Sequence, residues 1–182
     1  HVAGSKPDGH TLLLHHTAFL GAHALGTVPY SYKDFAMIGQ SLITPNCLIA
    51  RADAPWKNGT ELLAAAAQSD KPIVVGASSI GGYAHILFEF YMNATKSNGK
   101  FKTIFFGSTT ESATALQGGK IDIRIQPTGG AMNAVKAGDS KILTLLTEKG
   151  MPQFPGVETL GSLGITNIPM QRQGLWAPKD TP

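Results

Sequence analysis

Residues 73–83 read Ile-Val-Val-Gly-Ala-Ser-Ser-Ile-Gly-Gly-Tyr. Ile73-Val74-Val75-Gly76 has the length and β-branching of a buried strand. Ala77 to Gly82 is a loop of mostly small and hydroxylated residues, and Tyr83 to Ala94 continues as a helix that is apolar on most faces. The same order recurs twice. Ile104-Phe105-Phe106 is a strand, followed by Gly107-Ser108-Thr109-Thr110 and a helix through Leu116. Ile121 to Ile125 alternates with period two, then Gln126 to Gly130 form a loop and a helix runs to Ala137. Strands alternating with helices predict an α/β fold with mainly parallel sheets flanked by helices. Ligands of such sheets sit beyond the carboxyl ends of the strands. Here those ends carry small residues and open helices, whose N-termini favour an anion.

Outward from this core the pattern continues. Pro7-Asp8-Gly9 is a turn: Pro presets φ, Asp caps and Gly tolerates positive φ. Strands are expected at Thr11–Leu14, Phe35–Leu42, Cys47–Arg51, Ile142–Leu146 and Gly174–Ala177. Thr60 to Ala67 is a helix, capped by Asn58 or Thr60.

Composition narrows the class. The 182 residues are 42% hydrophobic, enough for a sizeable core without staples. Charged residues are only 15%, which excludes a coiled coil and a highly charged disordered chain. The net charge of +3 is spread singly along the chain, unlike the basic stripe of a nucleic-acid binder, and it suits an anionic small ligand. The single cysteine, Cys47, lies in an apolar stretch and reads as a buried structural thiol. The longest apolar run, Leu62–Ala67, is far short of the ~20 residues that cross a bilayer. No signal peptide is visible, and both ends read as cut edges inside a longer protein.

Several motifs fall short of catalysis. Gly76 to Gly81 has phosphate-loop spacing, but Gly82 and Tyr83 stand where Lys and Ser/Thr would neutralise phosphate and hold Mg²⁺. What remains is a hydroxyl-rich cradle for a carboxylate or small oxyanion. Ser78 and Ser79 lack a nucleophile elbow and an ordered base. His15 and His16 are adjacent on a strand and point to opposite faces, so they cannot easily share a metal. His85 and Glu89 are one helical turn apart and read as a side-chain contact. No metal and no cofactor are expected. Tyr83 can reach a ligand from its helix start, and Phe106 can form an apolar wall.

Pro7-Asp8-Gly9-His10-Thr11-Leu12-Leu13-Leu14, Pro29-Tyr30 with Lys33-Asp34-Phe35, and Gly76-Ala77-Ser78-Ser79 with Gly82, His85 and Glu89 occur in this order. Gly118-Gly119-Lys120-Ile121-Asp122, Lys136-Ala137-Gly138 and Ala177-Pro178 to Thr181-Pro182 follow. This series resembles the substrate-binding proteins of tripartite tricarboxylate transporters, the Bug family, over nearly the whole chain. The resemblance implies a two-lobed, type II periplasmic-binding-protein-like fold with an incomplete first lobe. The first lobe would comprise residues 1–47 and 143–182, and the second residues 48–142. It implies an exported bacterial, periplasmic receptor that captures a small carboxylate between hinged lobes and delivers it to membrane permease subunits, Venus-flytrap fashion.

On that reading, Ser78, Ser79, Gly82 and Tyr83 present donors at one helix start. Ser108 and Thr109 do so at a second, and Thr128 and Gly129 at a third. Thr17 and Ala18 close from the opposing lobe. Where the family often has Asp-Asn, this chain has Gln126-Pro127, which argues against an amino group on the ligand. Where it has Tyr-Lys-Gly, this chain has Phe106-Gly107-Ser108, which makes that side less charged. The expected ligand is a di- or tricarboxylate or an aromatic acid, with one carboxylate anchored and an apolar body favoured. The competing reading is the effector-binding domain of a transcription regulator, which shares the architecture. An enzyme would need an ordered acid/base set, and none is seen.

Overall fold

A computed structural model describes residues 1–16 and 18–182. Contacts divide the chain into two compact units. The first comprises His1–Thr44, Gly81–Tyr83 and Met170–Pro182, and the second Pro45–Ile80 and Ala84–Pro169. The stretch 143–169, assigned from the sequence to the first lobe, thus has its contacts in the second unit.

The first unit holds β1 (Leu13–His16), α1 (Ala18–Ala24), β2 (Phe35–Thr44) and β8 (Gln171–Pro178). The strand order is β1-β8-β2, antiparallel throughout. With this small antiparallel sheet the fold's sheets are mixed. No helical crossover links β8 to either neighbour, because it arrives from far along the chain and enters between two N-terminal strands. Rings of Phe19, Phe35 and buried Trp176 pack edge to face, with Phe19 5.9 Å from Phe35 and 5.4 Å from Trp176.

The second unit holds β3 (Asn46–Arg51), α2 (Gly59–Gln68), β4 (Ile73–Ser78), α3 (Tyr83–Ala94), β5 (Phe101–Phe106), α4 (Thr109–Gln117), β6 (Ile123–Pro127), α5 (Thr128–Lys136) and β7 (Ser140–Leu145). Tyr83, the first residue of α3, is grouped with the other unit. The sheet order is β5-β4-β6-β3-β7. β4 pairs parallel with β5 and β6, and β3 runs antiparallel to β6 and β7. Four strands therefore share one direction, each joined to the next by a helix, and β3 alone is reversed.

Both faces of this sheet are covered. Phe88 and Tyr91 of α3 meet Phe101 on one face, at ring distances of 5.4 and 6.3 Å. On the other, Ala115 and Leu116 of α4 and Ala131 of α5 pack with Cys47, Ile49, Ile121 and Ile142. β6, the middle strand, is therefore buried on both faces from Ile123 to Gln126, whereas the edge strand β5 exposes Lys102 and Ile104.

Candidate ligand-binding site

The carboxyl ends of β4, β5 and β6 share one edge of the second unit's sheet, because these three strands are parallel neighbours. Ser78 lies in register with Phe106. Ser78 and Ser79 are exposed at this edge. Phe106 is half-buried and packs against the core cluster.

The helices that start here differ in how their first N–H groups are satisfied. Ser108 is the N-cap of α4: its Oγ accepts from the Glu111 N–H at 3.1 Å. The Glu111 carboxylate in turn accepts from the Gly107 N–H at 3.0 Å. This start is closed by the chain's own acceptors, as in a capping box. α5 is different. Its N-cap is Pro127, with no side-chain cap. The Thr128 N–H donates to the Pro45 carbonyl at 3.0 Å, and Thr128 is buried. Gly129 and Gly130 follow, exposed, in the first turn where N–H groups have no helical acceptor.

Between α4 and α5 lies a cavity of about 300 Å³. Thr109, Gln117, Gln126, Gly130 and Asn133 line it, and Arg124 of β6 forms part of its wall. Arg124 is 4% exposed, and its Nε has no hydrogen-bond partner. Among the described residues the ion pairs are Arg51–Asp53 and His85–Glu89, so Arg124 joins none. Burial pushes its pKa down, because desolvation disfavours the charged form.

Arg124 escaped the sequence reading. The alternation Ile-Asp-Ile-Arg-Ile reads only as a period-two strand. The missed signal is that a strand inside a doubly covered sheet has no outward face, so a charge there requires an explanation.

The remaining candidates fall elsewhere. Gly82 and Tyr83 are grouped with the first unit. Burial raises the Tyr83 hydroxyl to about 12, and the Gln171 backbone, in the same unit, hydrogen-bonds to it. Thr17 lies outside the described residues, and of Ala18 only its place at the start of α1 is described. Cys47 is buried, and its thiol donates to the Gln126 carbonyl at 3.7 Å. His85 contacts Glu89 at 3.5 Å and packs edge to face on Phe105. Among the described residues no group of three or more His, Cys, Asp or Glu could hold a metal.

A family model described as "Tripartite tricarboxylate transporter family receptor" matches residues 1–182. A UPF0065 protein of Bordetella pertussis is 28% identical over 184 residues, covering 100% of this chain and 56% of that protein. The chain spans about half the length of the curated relatives it matches. Among solved structures, the periplasmic binding protein BugD is similar at a TM-score of 0.82 and 29% identity, over 100% of this chain and 61% of that one. MatC from Rhodopseudomonas palustris, with bound malate, is similar at 0.81 and 25%, over 100% and 62%. These likenesses give the periplasmic-binding-protein-like α/β fold, and the partial span accords with an incomplete first lobe.

Proposed function

We propose, from the premise that this chain belongs to the tripartite tricarboxylate transporter receptor family, that it is the carboxylate-recognising part of an extracytoplasmic solute receptor. The reading is of a binding protein, not an enzyme. The observation that carries it is the shared edge where β4, β5 and β6 end, with α5 opening there uncapped. Such an edge offers fixed dipoles to an anion. Ser78, Ser79, Ser108, Thr109, Gln126, Thr128 and Gly129 are proposed as ligand-binding residues there. Gly82 and Tyr83 are proposed alongside them, as are Thr17 and Ala18. Phe106 is proposed as an apolar wall. The bound malate of the MatC neighbour supports a small carboxylate as the ligand class.

For the whole protein, capture between hinged lobes, a periplasmic location and hand-over to permease subunits follow as parts of the same proposal. No helix of the described residues is long and apolar enough to cross a membrane.

A thermal-shift titration against malate, citrate, aromatic acids and amino acids tests the reading. A ligand at 100 times its Kd adds about 2.7 kcal/mol, roughly 5–10 °C for a chain of this size. The expected result is a saturable rise with one class of carboxylate. A melting temperature moved by amino acids alone, or by no acid, counts against it.

A further inference from the structure

A buried arginine whose Nε finds no acceptor is an unusual feature for a folded interior. Unpaired buried charges are costly, so buried charges are normally paired or bound to something. Arg124 is enclosed, its Nε lacks a partner, and among the described residues it joins no ion pair. The ionisable group that acts electrostatically on Arg124 is the Cys47 thiol. Burial raises that thiol to about 12, so it is neutral and cannot serve as a counter-charge. No acidic side chain lines the cavity that Arg124 borders; its polar walls are Thr, Gln, Asn and Ser.

The surroundings fit a ligand rather than a packing accident. Gly76 lies beside Arg124 in the β4–β6 register. A Cβ there would come within 3.5 Å of the Arg124 Cβ and collide with Ile121. Gly130, in the uncapped first turn of α5, lines the same cavity. A cation and a helix start without a side-chain cap therefore meet in one space, and both favour negative charge. The volume, about 300 Å³, is at the small end of ligand pockets and suits a small acid.

We propose that this cavity seats a carboxylate of the ligand, with Arg124 as its cation and as the residue that selects charged over neutral ligands. The proposal builds on the receptor reading and sharpens it. Backbone dipoles do not act alone, and the ligand must present a carboxylate to the α4–α5 crevice.

The test compares the chain with Arg124→Met and Arg124→Gln in melting curves at matched ionic strength. The probes are malate, adipate, benzoate, inorganic phosphate and sulfate, with chloride as the reference. Malate or adipate should raise the melting temperature of the unaltered chain. Both variants should show about tenfold to hundredfold weaker apparent affinity. In chloride alone Arg124→Met should melt no lower than the parent, since it removes an uncompensated charge. Undiminished carboxylate binding in both variants overturns the role of Arg124 and leaves the receptor reading standing. A rise with phosphate or sulfate only, lost in the variants, means an oxyanion seat that is not for carboxylates, and overturns both. No rise with any anion overturns the seat.

Discussion

Cys47 lies on β3, between β6 and β7 of the second unit's sheet, opposite Gln126 and Leu145. It is fully buried, and desolvation raises its pKa to about 12. The thiolate is the reactive form, so at pH 8 the native thiol should be inert. A thiol-specific colorimetric reagent should label none of the native chain within minutes and one thiol per chain in denaturant. Rapid stoichiometric labelling of native protein would mean the strand opens readily. The sequence reading of a structural thiol needed only its apolar neighbours. The reading of Arg124 needed more: its neighbours Ile123 and Ile125 are the same type as those of any half-exposed strand. Only the helices on both faces make its position interior.

At the scale of elements, the helix starts differ in how their first N–H groups are satisfied. α2 is held firmly. Asn58 Oδ1 accepts from the Glu61 N–H at 2.8 Å, Glu61 accepts from the Lys57 N–H at 2.8 Å, and Glu158 accepts from the Thr60 N–H at 3.1 Å. Asn58→Ala should cost about 1 kcal/mol, read as a lower urea midpoint with unchanged slope. A midpoint that does not move would show that Glu158 alone satisfies the turn. The cap was legible because Asn before a helical run is a strong local signal. Strand limits were less legible. β6 was expected at Ile121–Ile125 and runs Ile123–Pro127. Asp122 accounts for part of the shift: its carboxylate accepts from the Val74 N–H at 2.8 Å, and its own N–H donates to the Val74 carbonyl. That pair ties residue 122 to β4 ahead of the regular ladder, a long-range contact that no local pattern encodes.

At the scale of the whole molecule, the two units have unequal cores. The second has many fully buried side chains, among them Leu48, Ile49, Leu87, Phe88, Leu143 and Leu145. In the first, Leu14, Met37, Ile38 and Leu42 are each more than half exposed. Local stability follows buried apolar contacts. Amide hydrogen exchange should therefore be faster in β1, β2 and β8 than in β3, β4 and β6, with the slowest amides in the second unit. Equal protection in all six strands would contradict this. Sequence by itself determined the strand–loop–helix series, the lack of a phosphate-loop lysine and the ordered motifs of the receptor family, because these are local and periodic properties of the chain. Only the tertiary structure decided that the first unit's sheet is antiparallel, that β3 is reversed, and that Arg124 is buried with its Nε unpartnered. Each of these depends on which distant segment lies alongside, and so on hydrogen-bond partners and desolvation that adjacent residues cannot specify.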